Sequence, residues 1–452
     1  MKKGIHIETY GCQMNDYESD RTYRLFHDQF GYEWIDDPVE ADLVIYNTCS
    51  IREKADQKFY SSLGRLRAGK LSRPEMIVAV GGCLAQSEGA EIQRRAPYVD
   101  IVFGTHQWTQ LPFLVKNAEM ERRRALEIDF YGWKDYSFLP YRSSKLSHPV
   151  SELVTVQNGC DKFCTFCLVP FTRGRELSRP VPEILGEIQS LVDQGVREVI
   201  LLGQNVNAYG KDRRGEISFG ELLNRVAEVK GLDRVRYMTS HPAEFSTELV
   251  DSIADNPKIC EHLHLPLQSG SDNVLERMNR SYGIRDYREL VHYLQKKIPN
   301  LSLTTDIIVG FPSENEEDFE RTLDALREFE FEDSFSFLYS PRPHTKAAKW
   351  AAEFVSEPIA SERLARYQML QREIHRKKTE AYVGRTAEVL VEGNAKSGDG
   401  WLAGKTRTNR TVNFQGPSEW IGKLKEVRIT EAASHTLRAD LSHQREVGCS
   451  SR

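Results

Sequence analysis

Three of the eight cysteines lie close together in the segment Gly159-Cys-Asp-Lys-Phe-Cys-Thr-Phe-Cys167. We call Cys160, Cys164 and Cys167 the barrel triad, because they lie in the part of the chain that predicts an α/β barrel. Three thiolates on one short loop can bind three irons of a four-iron cluster and leave the fourth iron open to a substrate. Zinc is the alternative, but a structural zinc site needs four ligands and the chain has no second Cys-x2-Cys pair. Three cysteines without any ligand are the third possibility.

The loop follows an apolar run at 153–157 that predicts a strand, and five more such runs come after it. They lie at 198–202, 235–238, 262–265, 302–309 and 334–338, with helical patterns between them. Six strand–helix units over about 190 residues predict an open, partial (β/α)6 barrel, since a complete eightfold barrel usually takes about 250. We place this α/β unit at 151–380, where it ends in a helix with an excess of basic residues.

Two further units flank the predicted barrel. Residues 1–118 alternate strand-like runs, at 5–10, 43–46 and 76–80, with charged helical segments, which is typical of a parallel α/β domain. Residues 119–150 have little periodicity and are interpreted as a connector. Residues 381–444 hold short alternating runs split by glycine and asparagine, which predict a small β-barrel, and 445–452 form a polar tail.

Three other cysteines each come directly after a predicted strand of the N-terminal unit. They are Cys12, Cys49 and Cys83, here called the N-terminal triad, and they lie beside glycine or asparagine rather than inside apolar runs. Ligands of open parallel sheets bind outside the carboxyl ends of the strands, so these cysteines can converge on a second three-cysteine site. The alternative is that each is a small buried hydrophobe. Cys260 is interpreted as such a packing residue.

The composition excludes several classes of protein. The 452 residues include 61 basic and 66 acidic side chains, for a net charge of −5, which excludes a basic coat for nucleic acid over the whole surface. No apolar run has the length of a membrane span, and the N-terminus lacks the apolar segment of a secretory signal. We therefore expect an intracellular, cytoplasmic protein with no membrane attachment.

A local basic patch is still present in the C-terminal unit. The segment Lys405-Thr-Arg-Thr-Asn-Arg410 holds three cations and no acid, and Trp401 and Phe414 lie nearby in sequence. Cations for phosphates and aromatic rings for stacking suit the unpaired bases of an RNA loop. A solvated basic strand is the alternative.

The chain resembles the radical S-adenosylmethionine (SAM) methylthiotransferase family. Similar segments around the barrel triad are the loop itself and Pro170-Phe-Thr-Arg-Gly-Arg-Glu176. The N-terminal triad lies in three more: Tyr10-Gly-Cys-Gln-Met-Asn15, Asn47-Thr-Cys-Ser-Ile-Arg52 and Gly81-Gly-Cys-Leu-Ala-Gln86. Others are Leu202-Gly-Gln-Asn-Val-Asn207, His264-Leu-Pro-Leu-Gln-Ser-Gly-Ser271 and Thr305-Asp-Ile-Ile-Val-Gly-Phe-Pro312. The last domain resembles the TRAM RNA-binding module, and the resemblance covers about residues 4–440.

Two loops depart from the family's pattern. Phe311-Pro-Ser-Glu-Asn315 stands where the family usually shows Gly-Glu-Thr after the proline. His344 and Lys346 stand where glycine and proline are usual. These departures concern the shape of the loops rather than the chemistry.

The resemblance implies two [4Fe-4S] clusters and SAM as cofactors. The barrel triad would hold the cluster whose free iron binds SAM, and one electron would cleave SAM to a deoxyadenosyl radical. That radical would abstract hydrogen from C2 of N6-isopentenyladenosine beside the tRNA anticodon. The N-terminal triad would hold a second cluster carrying the sulfur, which a first SAM methylates before the methylthio group joins the substrate. Two SAM would be used for each 2-methylthio-N6-isopentenyladenosine.

Six further residues are candidate SAM contacts, because they lie near the cysteine loop or at strand ends that face the same mouth. Phe166 lies beside the cluster cysteines, and Gln204 offers an amide at a strand end. The other four are Ser240, Gln268, Ile308 and Gly310. Each could equally shape its loop.

The expected partners are a tRNA bearing isopentenyladenosine in its anticodon loop, an electron donor such as a flavodoxin or ferredoxin, and a sulfur donor. The protein is expected to be a monomer. Relatives in the resembled family modify threonylcarbamoyladenosine in tRNA or an aspartate of a ribosomal protein, and these substrates are the alternatives. The run Phe171-Thr-Arg-Gly174 favours isopentenyladenosine. A non-catalytic, zinc-stabilised RNA-binding protein is the third reading.

Overall fold

A computed structural model describes residues 2–50, 53–132, 134–141, 146, 149–396, 398 and 400–441. The predicted tail, Cys449, and Ile51 and Arg52 of one family-like segment lie outside the described residues. No described helix is long and apolar enough to cross a membrane.

The N-terminal unit is a six-stranded parallel sheet in the order β2-β1-β3-β4-β5-β6. Its strands are β1 (Gly4–Thr9), β2 (Glu33–Trp34), β3 (Leu43–Thr48), β4 (Ile77–Gly82), β5 (Ile101–Phe103) and β6 (Ala125–Glu127). Its helices are α1 (Gln13–Phe30), α2 (Glu53–Ser72), α3 (Cys83–Glu88), α4 (Ala90–Arg95) and α5 (Leu111–Glu121). Every residue of β3 and β4 is buried, because helices cover both faces of a central parallel strand.

This sheet extends beyond residue 118, where we placed the start of the connector. Helix α5 ends at Glu121, and the next residue, Arg122, has the left-handed φ of 55° that closes many helices. The chain then returns to the sheet as β6, which pairs with β5. A strand of only three residues is too short to show an apolar periodicity, and so the sequence gives no sign of it.

The central unit is the expected partial (β/α)6 barrel. Its parallel strands are β7 (Ser151–Thr155), β10 (Glu198–Leu202), β11 (Arg234–Tyr237), β12 (His262–His264), β13 (Ser302–Val309) and β14 (Asp333–Leu338). They pair as β11-β10-β7 and β12-β13-β14, and a parallel bridge between Val235 and Ile259 joins the two groups. A short antiparallel hairpin, β8 (Gln157–Asn158) with β9 (Leu177–Ser178), encloses the loop of the barrel triad.

Helices pack on the outside of these strands around one large apolar core. They are α7 (Val181–Asp193), α8 (Phe219–Ala227), α9 (Thr247–Asp255), α10 (Asp272–Arg277), α11 (Ile284–Lys297), α12 (Glu316–Phe329) and α13 (Glu357–Glu380), whereas the short α6 (Val169–Thr172) lies between β8 and β9 after the cysteine loop. Helix α13 is the predicted basic helix, and its buried Tyr367 and Ile374 belong to the same core.

The C-terminal unit is a closed barrel of five strands in the order β15-β16-β17-β19-β18. The strands are β15 (Thr386–Asn394), β16 (Trp401–Thr406), β17 (Thr411–Gln415), β18 (Leu424–Ala432) and β19 (Leu437–Leu441). The fold class is therefore confirmed in all three units. The strand β19, which closes the barrel by pairing with both β17 and β18, was not predicted.

Candidate functional site

The loop of the barrel triad is held on two sides. On one side, Cys160 N–H donates to Gly174 O at 3.2 Å, and Gly159 lies so close that a Cβ there would be 2.0 Å from Arg175 O. Gly159 also has a φ of 81°, so only glycine fits this position without strain. On the other side, Thr165 N–H donates to Met278 O at 3.0 Å, just after α10.

The thiols of this loop are largely shielded from water, and hydrogen-bond donors are directed at two of their sulfur atoms. Burial raises the pKa of Cys160 and of Cys167 to about 12. The backbone N–H of Val169 points to Cys167 Sγ at 3.4 Å, and Arg280 Nη1 donates to Cys164 Sγ at 3.3 Å. Binding a metal must therefore displace protons from these thiols, and donors are already in place for the resulting thiolates.

As they stand, no three His, Cys, Asp or Glu side chains of the described residues form a group that could hold a metal ion. An iron–sulfur cluster is a larger object than an ion, and each cysteine binds a different iron, so the ligands need not converge on one point. The donor set of the barrel triad, three thiols on one loop with N–H donors to sulfur, fits a cluster of this kind.

The N-terminal triad lies at the carboxyl ends of three neighbouring strands. Cys12 caps α1 after β1, Cys49 follows β3, and Cys83 begins α3 after β4. A Cβ on Gly11 would be 3.0 Å from Cys49 Sγ, which shows how closely the first two turns approach. Asn15 ties the same turns together, since its Oδ1 accepts from Cys12 N–H at 3.3 Å and its Nδ2 donates to Thr48 O at 3.1 Å.

The two cysteine-bearing regions meet across the boundary between the N-terminal sheet and the barrel. Helix α3, which begins at Cys83, contacts α6, which begins two residues after Cys167. Thr105 Oγ1 donates to Thr172 O at 2.6 Å, and His106 Nε2 lies 2.9 Å from Arg173 O. Both triads thus border one region of the molecule.

Arg173 is a buried cation at the boundary between the N-terminal sheet and the barrel. It is buried, and it donates to both carboxylate oxygens of Glu18, at 2.7 and 3.2 Å. Burial raises the pKa of Cys83, and the positive charge of Arg173 opposes that increase. Arg173 was noted only as part of the run 171–174, and its pairing with Glu18 was not predicted, since a pair separated by 155 positions leaves no local signal.

The candidate SAM residues fall into two groups. Phe166 and Ile308 pack in one apolar cluster with Phe311. Gln268 has a φ of 72° and accepts from Ile308 N–H at 3.0 Å through its backbone carbonyl. Gly310 N–H donates to Glu314 Oε1 at 2.9 Å, at the turn after β13.

The side chains of Gln204 and Ser240 differ in their hydrogen bonding. Gln204 Oε1 accepts from Gly159 N–H at 2.6 Å, so this amide oxygen already holds the cysteine loop. Ser240 lies after β11, is 3% exposed, and its buried Oγ has no hydrogen-bond partner within the described residues. A buried hydroxyl without a partner is costly, and a ligand is one way to satisfy it.

The two arginines of the basic patch, Arg407 and Arg410, are paired with carboxylates of the central barrel and are not free cations. Arg407 donates to Glu261 at 2.7 Å, and Arg410 pairs with Glu332 in a buried contact. In return, Arg234 and Arg236 on β11 donate to backbone carbonyls of residues 405–407. The carboxylates come from distant parts of the chain, which explains why the local composition was misleading.

Comparison with family models agrees with this three-part architecture. Residues 4–104 match the uncharacterized protein family UPF0004, residues 154–326 the Radical SAM superfamily, and residues 380–442 the TRAM domain. These matches define a radical SAM protein with a C-terminal TRAM domain. Membership in that superfamily implies one [4Fe-4S] cluster and SAM.

Full-length relatives narrow the class. The chain is 45% identical over 431 residues to the tRNA-2-methylthio-N(6)-dimethylallyladenosine synthase of Syntrophotalea carbinolica, covering 95% of this chain and 98% of the relative. It is 43% identical over 453 residues to the protein of the same name in Burkholderia thailandensis, covering 98% and 97%. The chain belongs to the family of tRNA-2-methylthio-N(6)-dimethylallyladenosine synthases.

Solved structures resemble the fold. The radical SAM methyltransferase TsrM from Kitasatospora setae aligns with a TM-score of 0.57 at 15% identity, over 77% of this chain and 75% of that one. The cobalamin-dependent SAM radical enzyme OxsB aligns with a TM-score of 0.51 at 10% identity, over 81% and 56%. At these identities the likeness concerns the fold alone.

Proposed function

We propose that this protein is a tRNA-modifying enzyme that attaches a methylthio group to C2 of N6-isopentenyladenosine beside the anticodon. The observation that carries the proposal is the meeting of two three-cysteine regions at one domain boundary, in a chain of this family. The cluster and SAM supply, when bound, the radical that removes hydrogen from an inert ring carbon. No acid–base pair could do this, so the protein's own task is to position the reactants.

The barrel triad is assigned to the cluster that binds SAM. Its loop is fixed between Gly174 and Met278, so the three thiols approach a cluster from one side. Gln204 positions the loop through Gly159 rather than contacting SAM with its amide oxygen. Ser240 is the candidate polar contact for SAM, and Phe166 with Ile308 forms an apolar wall near the triad.

The N-terminal triad is assigned to the second [4Fe-4S] cluster, which would carry the sulfur. The support is its placement on adjacent strand ends, together with the contact between α3 and α6. Glu18, Arg173 and His106 hold this boundary closed, and they would thereby fix the distance between the two clusters. A sulfur attached to one cluster can meet a substrate carbon activated at the other only if that distance is constant.

The partners follow from the same chemistry. We propose a tRNA with isopentenyladenosine in its anticodon loop as substrate, with the TRAM barrel contributing to RNA binding through a surface other than Arg407 and Arg410. A flavodoxin or ferredoxin would supply electrons, and a separate sulfur donor would rebuild the second cluster.

The test is an anaerobic reaction of the reconstituted protein with SAM, reductant and tRNA bearing isopentenyladenosine, followed by mass spectrometry of the nucleosides. We expect a 2-methylthio-N6-isopentenyladenosine peak that disappears in Cys12→Ala and in Cys164→Ala. Cys260→Ala is the matched control, because Cys260 is a buried cysteine outside both triads. Deoxyadenosine without this peak would show that the substrate is wrong. Neither product, at full iron content, would refute the enzymatic proposal.

A further inference from the structure

In the part of the chain that the structure describes, Arg280 differs from the buried arginines because no carboxylate pairs with it. Among the described residues eight arginines are buried, and each has a carboxylate oxygen within 4 Å: Arg21, Arg24, Arg173, Arg179, Arg234, Arg236, Arg363 and Arg410. Arg280 is partly buried, and within the described residues its guanidinium meets Cys164 Sγ at 3.3 Å, Tyr282 Oη at 2.9 Å and Pro266 O at 3.3 Å.

A guanidinium fixed in this way lacks a countercharge. Its hydroxyl and carbonyl partners are neutral, and the ring of Tyr282, 4.9 Å away, offers only a weak attraction. Withdrawing a cation from water without pairing it is unfavourable. The group that can become negative is the sulfur of Cys164, which is a thiolate whenever it binds iron.

The residues around Arg280 also hold the cysteine loop through hydrogen bonds. Thr165 donates to Met278 O and to Arg277 O, at 3.0 and 2.8 Å. Asn279 Nδ2 donates to the backbone carbonyls of Lys162 and Phe163, at 3.3 and 3.2 Å. The last residue of α10 and the three residues after it therefore hold the loop, and the last of these, Arg280, directs its charge at a ligand sulfur.

We propose that Arg280 is a positioning residue that supplies the countercharge of the barrel-triad cluster and raises its reduction potential. Reduction adds one negative charge to the cluster, and a nearby cation with a hydrogen bond to sulfur stabilises the reduced form. This inference rests on the assignment of the barrel triad in the proposed function, but it requires neither tRNA nor turnover.

The test is a redox titration of the reconstituted protein without substrate, followed by electron paramagnetic resonance of the reduced cluster. A Cys12→Ala background removes the second cluster from the signal. At the potential where the parent is half reduced, we expect Arg280→Gln to lower the ratio of reduced to oxidised cluster about tenfold, a midpoint shift of about 59 mV for one electron. Arg280→Lys should restore most of that ratio, because it keeps the charge.

Asn279→Ala is the matched control, since it removes two hydrogen bonds to the loop and leaves the charge in place. Its midpoint should stay near that of the parent. An unchanged midpoint in Arg280→Gln, or equal shifts in Arg280→Gln and Asn279→Ala, would overturn the inference while leaving the proposed function intact. If Arg280→Gln retains no iron, the reduction midpoint of Arg280→Lys is the deciding measurement. A midpoint near that of the parent supports the role of the positive charge, and a large shift refutes it. A parent triad that binds no iron would refute both.

Discussion

Arg173 and Glu18 form a buried ion pair, with 2.7 Å between Nη1 and Oε1, that joins the chain after the barrel triad to the first helix of the N-terminal sheet. Asn158 Oδ1 accepts a further hydrogen bond from Arg173 at 3.3 Å, and His106 contacts the Arg173 carbonyl. One arginine thus connects three segments at the boundary where both cysteine sites lie. A network of this kind makes the relative position of the two sites a property of the folded core.

Arg173→Ala should destabilise the protein strongly, because it leaves Glu18 buried without a countercharge. Removing one partner of a buried pair typically costs about 3–5 kcal/mol in the free energy of unfolding. Chemical denaturation of the apo protein measures the loss. Arg175→Ala is the control, since Arg175 is 73% exposed in its side chain and its pair with Asp161 should contribute less than about 1 kcal/mol.

The double variant Glu18→Ala with Arg173→Ala separates charge from packing. If the unpaired charge dominates, the double variant should be more stable than Arg173→Ala alone. A double variant that loses the sum of the two single effects would show that the pair is not coupled.

Ser313→Gly and His344→Gly should each stabilise the protein. Both residues have left-handed backbone, with φ of 68° and 69°, and both stand where the resembled family usually has glycine. The left-handed region costs a residue with a Cβ roughly 1 kcal/mol. Thermal unfolding measures the gain. Ser434→Gly, at an exposed serine without left-handed φ, should be neutral or destabilising, and an equal gain there would contradict the explanation.

The departures from the family's pattern at residues 313, 315 and 344 leave the backbone of their loops unchanged in type. Asn315, the other departure in the first loop, caps α12 by accepting from Asp318 N–H at 2.9 Å, so it does what threonine does in such a position. The sequence alone could show that these residues were unusual. It could not show that Ser313 and His344 keep the left-handed backbone conformation that glycine adopts easily.

What the sequence predicted well was periodic or local. All six strands of the central barrel were expected, because apolar residues recur along each of them, either in a short run as in β10 or at alternate positions as in β14. The barrel triad was expected from its spacing and the N-terminal triad from its position after three predicted strands, and their roles as cluster ligands stay predictions. The elements that were missed are short or depend on distant contacts: β6 has three residues and β19 five, and Arg280 acquires its place only when the turn after α10 meets the cysteine loop.

Arg407→Ala should loosen the TRAM barrel rather than weaken phosphate contacts. Its guanidinium donates to Glu261 and to two backbone carbonyls, Pro257 O and Ile259 O. Charged hydrogen bonds of this kind contribute about 1.5–3 kcal/mol each when lost. Hydrogen exchange should therefore accelerate in residues 257–261 and at Val235 of β11, whose backbone pairs with that segment, while the salt dependence of tRNA binding stays the same.

The control for this variant is Lys423→Ala, at an exposed cation of the same barrel. It should leave the exchange rates of β11 unchanged. A reduced salt slope of tRNA binding in Arg407→Ala, with unchanged hydrogen exchange, would restore the phosphate contact that the structure argues against, since each lost phosphate contact lowers the slope by about one.

Glu314→Gln should remove a pH-dependent loss of stability. Burial raises the pKa of Glu314 to about 7, although Gly310 N–H and Arg363 both favour its charged form. Unfolded, the same group has a pKa of about 4.3. Between these values the folded state holds a proton that the unfolded state has released, so the contribution of Glu314 is fully present below about pH 4 and is lost as pH rises to about 7. The loss is roughly 4 kcal/mol, with little change at higher pH.

Urea unfolding of the parent and of Glu314→Gln at pH 5, 6, 7 and 8 measures the difference. The glutamine keeps an acceptor for Gly310 N–H and cannot ionise, and Arg363 retains Glu316 at 3.1 Å. The variant should therefore become the more stable protein as pH rises through this window. Glu317→Gln, at an exposed carboxylate on the same helix, should run parallel to the parent. Parallel profiles for Glu314→Gln as well would mean that the carboxylate is charged throughout, and that the Gly310 turn contains a permanent ion pair with Arg363.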